Sequence, residues 1–157
     1  MKINIEANKF NYREGFTNVS QAPDDPRIAP ALPYELNSVC QDSEAEVIVA
    51  NFALAKLDHN ILPGTVAHWN KKLKQLGKLA ISFFDIRQIC AQGYCGAFSL
   101  EQIHNSIFGE NNENKSIIDI DTIKKLLPDL GFKITSITSK DTIVVIEAVK
   151  IGEVEIE

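Results

Sequence analysis

"FKITSITSKDTIVVIEAVK", residues 132–150, is the stretch whose reading decides the fold. Its first half has the composition of a strand over Phe132–Thr138 and its second half that of another over Thr142–Lys150. Ser139-Lys140-Asp141 is a link of hairpin length, and a hairpin joins its strands antiparallel. Upstream the chain behaves differently. Further strands are expected at Lys2–Ile5, Phe16–Ser20, Glu46–Ala50 and Lys78–Phe84, with amphipathic stretches between most of them. Val47–Ala50, Leu79–Phe84 and Ile143–Ile146 are continuous apolar runs, which suit strands buried on both faces. The expected architecture is therefore α/β: a mostly parallel sheet, helices on both faces, and a C-terminal antiparallel hairpin.

Helix signals fill the gaps. Thr65–Leu76 places Val66, Trp69, Leu73 and Leu76 on one stripe, with Gly77 as the stop. Asp85 with Gln88, and Ser99 with Gln102, have capping-box spacing for helices reaching about Gln92 and Phe108. Asp119 or Asp121 caps a helix through Leu130 that Gly131 closes, with Pro128 expected to kink or shorten it. Residues 20–42 carry four prolines and should be irregular. "GENNENK", residues 109–115, reads as a polar surface loop rather than a lid.

The chain of 157 residues is long enough for about one domain. We expect residues 1–150 to form it, with 151–157 a tail that extends the last strand or frays. Net charge is −5, and Lys71, Lys72 and Lys74 make the only basic cluster, beside Trp69. That is too narrow a footprint for a nucleic-acid partner. Residues 1–9 lack the apolar core of a signal peptide, and no run approaches the ~20 apolar residues of a membrane span, so a cytoplasmic, membrane-free protein is expected. Cys40, Cys90 and Cys95 are an odd count, unlike a disulfide framework. Cys90 and Cys95 form a single pair where zinc sites use two, so we expect buried or half-buried thiols and no metal.

Four stretches, taken in order, resemble small class I S-adenosylmethionine (SAM)-dependent methyltransferases. "KINIEANKFNYREGFTNVS" (2–20) resembles the family's opening "LNLGCGNKPLPGYINVD". "LPYELNSVCQDSEAEVIVANFAL" (32–54) resembles "LPFEDNSVDEIYASHVLEH". "TVAHWNKKLKQLGKLAISFFDI" (65–86) is similar to "EWYRVLKPGGKLRISVPD", and "DTIKKLLPDLGFK" (121–133) to "ETLKELLEEAGFK". Together they span Lys2 to about Lys150. The resemblance implies a Rossmann-like sheet, a SAM cofactor, and a cofactor site at Glu6, Ala7, Asn8, Ser20, Asn51 and Phe52.

At those positions the residue types depart from the family. Glu6-Ala7-Asn8 stands where Gly-Cys-Gly makes the cofactor turn, and only glycine is indifferent to positive φ. Ser20 replaces the acid that accepts both ribose hydroxyls, and a hydroxyl cannot make that charged bidentate contact. Asp24 and Asp25 follow closely and could substitute. Pro30 or Ala31 replaces the Asp near the adenine, and Phe52–Lys56 replaces "HVLEH".

Three readings follow. The first is a methyltransferase fold with an eroded SAM site, catalytically inactive, serving as a binding or structural protein with a protein partner or a second copy. The second is an active methyltransferase with atypical SAM contacts. The third is a cleft reused for another small ligand, with Asp58 and His59 as catalytic candidates because they follow a strand at the ligand-binding end of the sheet.

Overall fold

A computed structural model describes residues 1–153. The strands are β1 (Lys2–Ile5), β2 (Thr17–Ser20), β3 (Ala29–Pro30), β4 (Ala45–Asn51), β5 (Leu73–Phe84), β6 (Phe132–Lys140) and β7 (Ile143–Lys150). The helices are α1 (Leu62–Lys72), α2 (Ile86–Tyr94), α3 (Leu100–Phe108) and α4 (Ile120–Asp129), with 3₁₀ turns at Leu54–Lys56 and His59–Ile61. One sheet takes the order β3-β2-β1-β4-β5-β7-β6. β1 to β5 pair in parallel. β7 runs antiparallel to both β5 and β6. β7 is thus interior, and β6 and β3 are the two edges. Possible extension of β7 by Val154 and Ile156 lies outside the described residues.

Pairing register sorts side chains onto two faces, because paired residues point the same way. Ile3, Ile48, Leu79 and Ala148 share one row, and Ile5, Ala50, Ile81 and Ile146 the next. This face meets α1 through Val66 and Trp69, and α4 through Ile123 and Leu127, in one buried cluster. The opposite face carries Asn4, Val49, Ala80 and Glu147 in one row. Cover is therefore uneven: where the apolar runs imply helices on both faces, α1 and α4 occupy one. The reason lies in the connections. Residues 6–16 and 21–28 join β1 to β2 and β2 to β3. Both are shorter than the dozen or so residues of a usual crossover helix.

Local differences from the sequence pattern have physical causes. α1 begins at Leu62 with Pro63 in its first turn and ends at Lys72, so Leu73 opens β5 instead of closing the helix. Leu73 pairs with Ala45, and the register then jumps to Val47 with Lys78. The intervening residues bulge outward, leaving Leu76 66% exposed at φ 63°. Gly77 is not a helix stop. A Cβ there would lie 2.8 Å from the Lys74 carbonyl oxygen and 3.2 Å from that of Ala45. Asp85 makes no side-chain cap to α2; its Oδ1 accepts the Ile120 N–H at 3.2 Å, and Gln88 instead donates to Ser139. The Ser99–Gln102 capping box forms on α3, and Asp119 caps α4 by accepting the Thr122 N–H. Pro128 sits inside the last turn of α4. Among the described residues no helix is long and apolar enough to cross a membrane.

Candidate functional site

The C-terminal ends of the parallel strands open into a cleft of about 350 Å³. Open α/β sheets bind ligands at this end, beside the point where strand order reverses. Here that point is β1, from which the chain steps to β2 on one side and β4 on the other. Glu6 and Asn8 follow β1, Asn51 and Phe52 close β4, and Phe84 ends β5. The far wall comes from Asn105, Glu113 and Asn114, on α3 and the polar loop after it. That loop is tied down where the Lys115 and Ser116 N–H groups donate to the Ala55 carbonyl.

Glu6 dominates the site. It has φ 56°, so the backbone keeps a left-handed turn although no glycine is present. Its side chain is only 2% exposed, and Oε2 lies 3.1 Å from Lys56 Nζ. Its other carboxylate oxygen accepts the Gln21 N–H at 3.3 Å. One carboxylate thus ties together the ends of β1 and β2 and the 3₁₀ turn after β4. Asn8 is equally committed: its Oδ1 accepts the Phe10 and Asn11 N–H groups, while its own N–H donates to Asn11 Oδ1 at 2.7 Å. Ala7 is buried and donates its N–H to the Val19 carbonyl.

On β4, Asn51 Oδ1 accepts the Ser82 hydroxyl at 3.0 Å, leaving the Asn51 amide N–H₂ toward the cleft. Phe52, at φ 55°, stacks near Phe84 with ring centroids 5.0 Å apart and gives the cleft an apolar floor. Ser20 is buried and spends its hydroxyl on the Ala22 N–H. The two aspartates that follow it are also engaged. Asp24 accepts the Lys9 N–H at 3.0 Å. Asp25 pairs with Arg27 at 2.7 Å, which lowers its carboxyl to about 2. The Ala31 N–H donates to the Ser20 carbonyl, so this segment extends the sheet beside β2. Asp58 and His59 are exposed and do not line the cleft.

Of the six positions expected to form the site, Glu6, Asn8, Asn51 and Phe52 line the cleft, whereas Ala7 and Ser20 are buried and do not. Sequence reasoning did not find Lys56, Asn105, Glu113 or Asn114. Lys56 could have been sought as the cation nearest in chain to the lost "HVLEH" acid, but nothing marks the two asparagines. Cys90 and Cys95, expected to be at least half-buried, are exposed on and just beyond α2. α2 fully buries only Ile89, and Cys90 lies on its exposed side with Arg87, Ala91 and Tyr94. Among the described residues no three His, Cys, Asp or Glu side chains gather as metal ligands. His68 is half-buried; its Nε2 accepts the Leu36 N–H, and burial, then nearby Lys72, pushes its pKa down.

No family model matches the chain, and no curated protein matches it by sequence. Solved structures do match it by shape. A SAM-dependent methyltransferase from Thermotoga maritima, described as a possible histamine N-methyltransferase, superposes with a TM-score of 0.68 at 12% identity, over 95% of this chain and 81% of the other. A SAM-dependent methyltransferase from Archaeoglobus fulgidus gives 0.65 at 14% identity, over 94% and 85%. The CurJ carbon methyltransferase gives 0.64 at 13% identity. The chain has the class I methyltransferase fold. Of the CurJ chain it spans 48%, so it lacks the length of some of its structural neighbours. At such identities the likeness fixes the fold of this methyltransferase-like chain and leaves its activity to the site.

Proposed function

We propose that this protein is a methyltransferase-fold protein whose cofactor cleft is headed by a salt-bridged carboxylate in place of glycine, so that it works by binding a partner rather than by transferring a methyl group. The observation that carries this reading is the buried Glu6 carboxylate held by Lys56 and the Gln21 N–H. In the family that turn follows the first strand and approaches the methionyl part of SAM with glycines. Here a carboxylate sits at the head of the same cleft, where a cofactor carboxylate would meet like charge. On the ribose side the Ser20 hydroxyl accepts the Ala22 N–H and carries no charge, Asp24 accepts the Lys9 N–H, and Asp25 pairs with Arg27. The residues present do not fit SAM in this arrangement.

Calorimetric titration with SAM and with its demethylated product tests the reading. A ligand present at 100 times its dissociation constant stabilises the native state by ~2.7 kcal/mol, so thermal shift reads the same result. No heat and no shift at millimolar concentrations is the expected outcome. Micromolar affinity for either compound overturns it and transfers the proposal to an active enzyme in which Asn51 and Phe52 border the transferred methyl group. That second reading draws on the free Asn51 amide and the Phe52–Phe84 floor, since methyl transfer needs mainly positioning in a water-poor pocket.

A further inference from the structure

The sheet face turned away from the core has a groove of about 510 Å³ over β4, β5 and β7. Among the described residues no helical residue lines it. Val47, Ala80, Val145 and Val149 form its floor and are only half-buried. Arg13 and Phe16, from the β1–β2 connection, wall one side. Parallel strands such as β1, β4 and β5 are ordinarily covered on both faces. This apolar floor is therefore an unfinished layer of the fold.

Charge says what finishes it. Lys2, Lys78 and Lys133 share the Val47–Val149 row, and Arg13 stands above it. All four are exposed, and among the described residues none has a carboxylate within 4.0 Å. Against them the floor offers Glu147, whose carboxylate already accepts the Ser136 hydroxyl. This basic rim belongs to a chain of net charge −5. A second copy docked face to face would set one basic rim against another. A nucleic acid would find a valine floor between the cations, and Phe16, the one aromatic lining the groove among the described residues, is already covered by Lys2 and Arg13.

We propose that this face docks an acidic amphipathic helix of a partner protein, its apolar stripe on the valine floor and its carboxylates toward Lys2, Arg13, Lys78 and Lys133. Strands lie ~4.8 Å apart, so β4, β5 and β7 with half of each neighbour present a bed ~15 Å wide. A helix is ~10–12 Å across with side chains, and about three turns cover the rows from Lys78 to Phe84. Among the described residues the groove and the cleft share only Asn51, and Val47, Ala80, Val145 and Val149 line the groove alone, so the proposal does not rest on whether the cleft holds SAM.

The test uses the full chain and two labelled helical peptides of about three turns, both with leucine at i, i+3, i+4 and i+7. One carries glutamate at the remaining positions and the other lysine. Fluorescence anisotropy should show the glutamate peptide binding at least about tenfold tighter, with the preference shrinking as salt rises. Amide exchange should slow on β4, β5 and β7 when it binds. The double substitution Lys78→Glu with Lys133→Glu, at exposed positions that leave the fold intact, should weaken binding by about tenfold. Val145→Glu should abolish it while circular dichroism stays native. Absence of binding, equal binding of both peptides, or protection confined to the cleft overturns the proposal. So does a dimer in sedimentation that Val145→Glu dissolves, which would give the face to a second copy.

Discussion

Replacing Glu6 by glycine probes the cleft at the point where fold and function meet. The substitution removes a side chain held at φ 56°, a conformation costing a non-glycine residue about 1–2 kcal/mol. It also removes the ion pair with Lys56, whose side chain is 28% exposed against 2% for Glu6. Because Lys56 can turn into water, losing its partner costs about 1–2 kcal/mol, nearer the exposed-pair range than the buried one. The unmade hydrogen bond to the Gln21 N–H adds about 0.5–1 kcal/mol, and the flexibility of glycine in the unfolded chain a similar amount. The balance is a loss of about 1 kcal/mol, or about 2–4 °C in Tm. Lys56→Met is the informative counterpart. It strands a carboxylate that cannot reach water and should cost about 3 kcal/mol. Urea denaturation of both variants measures the difference, and calorimetry on Glu6→Gly asks whether opening the turn restores SAM binding. If Glu6→Gly costs more than Lys56→Met, the carboxylate is a structural clamp rather than an occupant of the cleft, and the reasoning fails.

Other substitutions test the packing that positions the cleft. Asn70→Ala removes the hydrogen bonds that this buried residue's Nδ2 donates to the Leu130 and Gly152 carbonyls; a loss of about 2 kcal/mol in urea denaturation is expected. Gly77→Ala sets a Cβ against two backbone carbonyls and should cost about 1–3 kcal/mol by the same measurement, whereas a glycine acting only as a helix stop would be worth less. His68 has a lowered pKa from burial, so the folded state favours the neutral ring that accepts the Leu36 N–H. Its stabilising contribution is complete above the unfolded value near 6.5 and is lost as pH falls through the lower folded value. Chemical denaturation at pH 7.5 and pH 5 should show that fall, and His68→Gln should flatten it.

Much of the architecture was legible because period-2 and unbroken apolar runs are strong signals. Ile143–Ile146 and Leu79–Phe84 suit buried strands, and the short link before Thr142 points to the antiparallel ending. α1 was misbounded because Leu73 and Leu76 continue its helical spacing, while pairing of Leu73 with Ala45 pulls the chain into β5 first. β3 could not be read, since Ala29-Pro30 has neither length nor pattern and proline suits only an edge. The cleft residues at strand ends came from topology. Lys56, Asn105 and Asn114 did not, because a 3₁₀ turn and the α2–α3 excursion after β5 bring them there. Nor did the bare face announce itself. Val47-Ile48-Val49-Ala50 reads as buried on both sides whether or not a helix covers the second.

The position of β7 has a consequence for how the molecule is completed. The strand that emerges last is inserted between two that emerged before it. Until Ile143–Lys150 arrives, β6 has no neighbour in the sheet, and β5 presents the open edge of a long apolar strand. A chain interrupted anywhere before Ile143 therefore loses two strands from the sheet rather than one. It also leaves Leu79–Phe84 free to recruit a stranger, the hazard of any flat unpaired edge. The β6–β7 hairpin is thus what closes the β5 edge, and that edge stays open until β7 is in place.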